Sequence, residues 1–540
     1  MLAGCSQKTP DHNQQTAAPE AGQAQANLYT DVLASALFQM QPDNLGIDSG
    51  ADTAVSVLNS WREQTGLITV DKFGITTAEL DALPKSLLTD DQRAAILATD
   101  FANSDAFYLR NCIFFADMAK HASQSATSEL DRVMALFNYS MRTISLLPEG
   151  AARLPVPLFE VVRLGKGSAG DRGWLFSALL KQQRIDAVII QSKSDPNQQL
   201  SGVVLDGQVY LFDPRLGLPI PRGDDPPGLQ ITRPATWSEM LAHPDWWQAL
   251  TVRGDLPYPW TVEELAAADV LVYAEAESWT GRMKLLESIL PAESASVIYD
   301  ALFDSNSSPG LMGRVARGNS AWSAEQLRFW PYPLTVRQEA AKQREEILST
   351  TVKFQVPFEF VLAGESQEQF QDMKPTFQHA KSRIEQLSGK YQDATAHYLT
   401  VRHLMLESLP AALQSDRQRL QSIQQVYALA VFDATYWTAM CKFEQQDWKG
   451  AAKGLSDYLK RFSQTPWSAP ARFHWMLSLA EQGDFPGAQA VGSTIPVDDP
   501  YREPAELLLR RWERYQEQST SSKTESQNSS EPTAPEKNAP

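Results

Sequence analysis

The dipeptide Asp206-Gly207 stands between two apolar runs, Val203-Val204-Leu205 and Val209-Tyr210-Leu211-Phe212. A two-residue turn needs positive φ at both positions, which Asp and Gly tolerate, so the pair specifies a β-hairpin with a type I′ turn. The turn also sets register. Leu205 pairs with Gln208, and continuing the ladder puts Asp213 opposite Leu200, flanked by Gln199 and Ser201. Upstream, the β-branched run at 185–190 reads as a further strand. Before it, Trp174-Leu175-Phe176-Ser177-Ala178-Leu179-Leu180 reads as an apolar helix, entered from the loop Gly165-Lys166-Gly167-Ser168-Ala169-Gly170-Asp171-Arg172. Residues 129–147 place Leu130, Val133, Leu136 and Phe137, then Met141 and Ile144, at helical spacing.

Gly-rich loop, helix, strand, hairpin and a terminal Phe212-Asp213-Pro214 together resemble the transglutaminase-like fold of the papain-like superfamily, over residues 126–222. That resemblance implies a cysteine at the N-terminus of the helix, a histidine on the sheet and an aspartate that orients it. Family loops of the form Gly-x-Gly-x-Cys put the cysteine at Ala169, and neither Ser168 nor Gly170 supplies one. The histidine position falls at Leu200, and all seven histidines avoid the interval 122–242. Only Asp213 matches its family position, so the domain reads as catalytically dead. Ser168 has no local base to activate it. Cys112 shares a helix face with Phe115 and Ala119 and reads as a core thiol, with His121 too far around the helix to pair with it. Cys441 reads as core too. The competing reading is a cysteine or serine hydrolase, or a transglutaminase-like enzyme, whose residues arrive from distant segments, for example Cys112 with His243.

Asp171, Arg172 and Trp174 are candidates for a surviving ligand groove at the helix mouth. The structural alternative has Asp171 capping the helix and Trp174 packing inward. Asp213-Pro214-Arg215 reads as a local ion pair ending a strand. The wording GDRGWLFSALLKQQRIDAVII and GQVYLFDPRLGLPIP is similar to lipoprotein-type proteins of planctomycetes, which carry the same cysteine-free loop. The similarity extends through 223–350, including Pro257-Tyr258-Pro259 and Arg282-Met283-Lys284.

In the C-terminal half one phrase recurs. Gly389-Lys390-Tyr391 precedes Ala394, Gln446-Asp447-Trp448 precedes Ala451, and Gly483-Asp484-Phe485 precedes Ala488. The later two copies are spaced close to a tetratricopeptide period, while the wider first interval leaves room for an extended helix or insert. The pattern resembles a tetratricopeptide solenoid, which implies a face for a protein or peptide partner. An ordinary helical bundle is the alternative. His397 and His403 lie on opposed helix faces and make poor metal ligands.

The start, Leu2-Ala3-Gly4-Cys5, resembles the lipobox of bacterial lipoproteins, which implies that Cys5 is acylated and anchors the chain in the cell envelope, facing the periplasm or exterior. The polar stretch that follows, to residue 27, reads as a disordered tether. The expected organisation is therefore lipobox and tether (1–27), a helical region (28–125), the degenerate transglutaminase-like domain (126–222), a helical connector (223–360), tetratricopeptide-like repeats with a final helix (361–516) and a disordered tail (517–540). The expected fold class is mostly α with a small α+β domain. A formal charge of −17 argues against a nucleic-acid partner. Three cysteines, Cys5 included, exclude a disulfide framework and a cysteine-rich zinc site, and no cofactor is expected. The function these features suggest is a non-catalytic, membrane-anchored binding scaffold.

Overall fold

The computed structural model describes residues 33–38, 40, 51–65, 74–84, 88–148, 150, 151, 153, 155–254, 257–290, 296–304, 308–343, 378–401, 415 and 417–528. Cys5, the tether, His403 and residues 529–540 lie outside these. Among the described residues the protein is mostly helical, with a small six-stranded mixed sheet and a separate parallel pairing of Ser145–Leu146 with Lys166–Gly167.

Helices α1 (Ala51–Thr65) and α2 (Asn103–Ala122) share a core of Leu58, Trp61, Leu109 and Cys112. A buried ion pair ties α2 to a later helix. Arg282 donates to both carboxylate oxygens of Asp105, at 2.8 and 2.9 Å, which explains the Arg282-Met283-Lys284 motif structurally. Helix α3 (Glu129–Thr143) starts in a capping box between Ser128 and Asp131 and buries Val133, Leu136 and Phe137. Helix α4 (Leu158–Leu164) ends on Gly165, whose φ of 68° only glycine adopts freely, and α5 (Ala169–Gln182) begins four residues later.

The sheet contains β1 (Ala187–Gln191), β2 (Gln199–Leu205), β3 (Gln208–Asp213), β4 (Leu218–Pro219), β5 (Asp269–Val272) and β6 (Leu327–Phe329). Their order is β4-β3-β2-β1-β5-β6, antiparallel throughout except for the parallel β5–β6 pair. Leu205 pairs with Gln208 and Ser201 with Phe212, and Asp206 and Gly207 have φ of 49° and 76°, as the type I′ turn requires. Side chains alternate across the sheet. Ile189, Val203 and Phe212 meet α5, while Val188, Ile190, Leu200 and Leu211 pack with Trp237, Trp260 and Trp279 on the other face.

The expectation for the middle of the chain changes here. Where 223–360 was expected as a helical connector, its described residues cover the second face of the sheet and supply β5 and β6. Within 261–300 the helix stops at Ala267, and Val270-Leu271-Val272 pairs with β1 as a strand. Helical spacing from the Ala- and Glu-rich neighbours hid this short β-branched run.

Helix α6 (Tyr332–Lys342) closes the sheet half. The C-terminal half runs α7 (Gln378–Leu387), α8 (Tyr391–Val401), α9 (Arg417–Glu444), α10 (Trp448–Arg461), α11 (Ser468–Glu481), α12 (Phe485–Gly492) and α13 (Arg502–Asn528). Consecutive helices pack on one another. The recurring phrase has a common geometry: Gly389, Gln446 and Gly483 have φ of 79°, 59° and 78°, and Ala394, Ala451 and Ala488 are all fully buried. Asp447 and Asp484 each cap the helix that follows through a glycine N–H, at 2.9 and 3.0 Å. Helix α13 continues beyond residue 516 into the segment expected as a disordered tail. A formed helix propagates at one hydrogen bond per residue, so polar composition alone does not stop it.

Candidate functional site

The helix mouth is built by three remote segments. Ser168 is the N-cap of α5: its Oγ accepts from Asp171 N at 3.2 Å, and the Asp171 carboxylate accepts from Ser168 N at 2.8 Å and Ser168 Oγ at 2.9 Å. Arg153 donates to Asp171 twice, at 2.8 and 2.5 Å. Strand β6 delivers Trp330, which stacks on Tyr332 with ring centroids 5.2 Å apart. The Tyr332 hydroxyl then lies 3.1 Å from both Ser168 Oγ and Asp171 Oδ1. A Cβ at Gly170 would meet the Tyr332 ring at 3.3 Å, so this ring covers the first turn of the helix. Asp171 is thus a buried, fully engaged cap, and Trp174 is buried edge-on to Tyr332.

Arg172 points the other way. Its guanidinium donates to the carbonyls of Ile144, Pro214 and Met141 at 2.7, 3.1 and 3.1 Å, and to the Tyr501 hydroxyl at 3.1 Å. Burial lowers its pKa, which the neighbouring Tyr501 opposes. The three proposed groove residues therefore do not converge on one open site.

The β2–β3 ladder ends at Ser201 and Phe212, one step short of Leu200 and Asp213, and the pleat turns Leu200 away from α5 into the second core. Ser201 takes the helix-facing place, and its buried Oγ, 3.5 Å from where a Gly173 Cβ would stand, has no partner among the described residues. Sequence reasoning named Ser201 only as a flank, because register alone does not reveal which face α5 covers. Asp213 organises its own turn. It accepts from the N–H groups of Arg215 and Leu216 at 2.7 and 3.0 Å and from the Tyr258 hydroxyl at 2.6 Å, which accounts for Pro257-Tyr258-Pro259. The Arg215 side chain does not close a local pair with Asp213. It reaches Glu503 of α13 instead, at 2.5 and 3.2 Å.

The remaining candidates are dispersed. Burial pushes the Cys112 and Cys441 thiols up to about 12. His243 stacks on Trp246, His121 contacts the Tyr391 hydroxyl at 2.6 Å, and His397 contacts Glu385 at 2.6 Å. Among the described residues no group of three His, Cys, Asp or Glu side chains is placed to hold a metal, and no helix is long and apolar enough to cross a membrane.

A cleft lies where the C-terminal helical half meets the sheet half. Arg142 of α3 pairs with Glu444 of α9 at 2.8 and 2.9 Å, Tyr139 donates to Leu387 O at 2.7 Å, and Trp512 donates to Leu229 O at 3.1 Å. Between these seams remains a cavity of about 160 Å³, walled by Met141, Phe443, Trp448, Phe473, Leu477 and Trp512. His474 also lines it. The Nδ1–H of this residue donates to Pro470 O at 2.8 Å, and burial pushes the ring down to about 3, so it is neutral. No sequence signal marked this cleft, since its walls come from segments more than 300 residues apart.

No protein-family model matches the chain, and no curated protein or solved structure shows significant similarity to it.

Proposed function

We propose that the protein is a non-catalytic lipoprotein of the bacterial cell envelope that serves as a protein- or peptide-binding scaffold. Cys5 is the anchor, residues 126–222 are a transglutaminase-like framework without its nucleophile and base, and residues 361–516 are tetratricopeptide-like repeats that engage the partner. The observation that carries this reading is the helix mouth: Ser168, Asp171, Arg153 and Tyr332 occupy the N-terminus of α5 with a closed cap. In the fold it resembles, that terminus lowers the pKa of a nucleophile. The three phrase turns with a shared backbone support the repeats.

Metabolic labelling with an alkyne palmitate analogue tests the anchor. Label in the envelope fraction that disappears in Cys5→Ala is expected; equal label in the variant would contradict it. Crosslinking the anchored chain in situ tests the scaffold, with one partner species recovered through residues 378–516 expected and none above an unrelated envelope lipoprotein contradicting it.

A further inference from the structure

The cleft between the two halves has unspent hydrogen-bonding capacity as well as apolar walls. His474 is 2% exposed. Because its Nδ1 carries the proton given to Pro470 O, its Nε2 is a lone-pair acceptor, and none of the described residues donates to it. Tyr501, which also lines the cleft, is 3% exposed. Its oxygen accepts from Leu146 N at 3.2 Å and from Arg172 Nη2 at 3.1 Å, while its own O–H has no acceptor among the described residues. Among the described residues His474 Nε2 and the Tyr501 O–H therefore have no partner, and both residues line an aromatic cavity. A hydrogen bond made in such a shielded site contributes about 0.5–1.5 kcal/mol in general, so such a pair favours a ligand that satisfies both.

The cations of the cleft are already engaged, Arg142 by Glu444 and Arg172 by three carbonyls. Glu481 stands at its edge, held by Gln230 at 3.1 Å, and disfavours an anion. The space is close to that of apolar cavities of about 150 Å³ known to take a benzene ring. We propose that the cleft binds a phenol group: the ring fills the space between Phe443, Phe473 and Trp512, and the hydroxyl donates to His474 Nε2 while accepting from the Tyr501 O–H. The group is either a free small phenol or the tyrosine side chain of a peptide. In the second case the inference deepens the scaffold reading and rests on it.

Calorimetric titration of the full chain with p-cresol and with 4-methylanisole, which keeps the ring but lacks the O–H donor, tests the proposal. Saturable binding of p-cresol, about tenfold tighter than the ether, is expected. His474→Phe should weaken p-cresol about tenfold and leave the ether unchanged. The comparison of the two ligands on the unmodified chain stands even if that variant fails to fold. No p-cresol binding up to its solubility, or equal affinity for the two ligands, would overturn it. N-acetyl-tyrosinamide separates the sources: affinity equal to p-cresol supports a peptide tyrosine, and p-cresol binding alone supports a free phenol. Failure here leaves the Cys5 labelling result untouched, so the two readings fail separately.

Discussion

Arg153 grips Asp171 through two parallel hydrogen bonds, from Nε to Oδ2 at 2.8 Å and from Nη2 to Oδ1 at 2.5 Å, with the carboxylate fully buried. The pair makes the N-terminus of α5 a closed structural joint. Arg153→Met would leave a buried carboxylate without its cation, at a cost of about 3–5 kcal/mol. Guanidinium unfolding should show that loss. A change below about 1 kcal/mol, typical of exposed pairs, would place the contact in solvent instead.

Ser201 offers the opposite case. Its hydroxyl is buried beneath α5 without a partner among the described residues. Ser201→Ala is expected to leave stability unchanged or raise it by about 1 kcal/mol, because an unsatisfied polar group is removed. A clear loss in the same unfolding experiment would reveal a hydrogen bond that the hydroxyl does make.

These two residues also mark how far the sequence could be read. Asp171 was legible as the helix cap and Asp206-Gly207 as a turn, since both signals are local. Arg153 and Tyr332, which close the helix mouth, come from 18 residues before Asp171 and 161 residues after it, and nothing local marks either. The hairpin register was legible as far as Ser201 and Phe212, but which face α5 covers was not, because that depends on where α5 packs. Val270-Leu271-Val272 was masked by helix formers around it. The repeat phrase was legible because each copy demands the same turn and the same small buried alanine.

His474 should make stability depend on pH. Its pKa is about 3 in the folded protein against 6.5 for the free side chain. Between these values the unfolded chain binds a proton that the native ring does not. The contribution is complete above pH 6.5, declines as pH falls and is lost by about pH 3, amounting to about 5 kcal/mol at most. His474→Phe should flatten the stability profile between about pH 4 and 6 by up to one proton. Parallel profiles would mean that the ring is protonated in the native state.

The thiols address the hydrolase alternative. In Cys5→Ser protein, a thiol reagent at neutral pH is expected to leave Cys112 and Cys441 unmodified, and to modify both in guanidinium, since burial pushes each to about 12. Rapid, stoichiometric modification of Cys112 in native buffer would revive a cysteine nucleophile.

Turnover is the most direct test of the proposal that the closed helix mouth is non-catalytic. The full chain is incubated with a primary-amine donor and glutamine- and ester-bearing peptide substrates, and products are followed by mass spectrometry. Rates indistinguishable from buffer are expected, together with no covalent adduct on Ser168, Ser201 or Cys112. Turnover that disappears in Ser168→Ala, or an acyl adduct on any of these three residues, would contradict it.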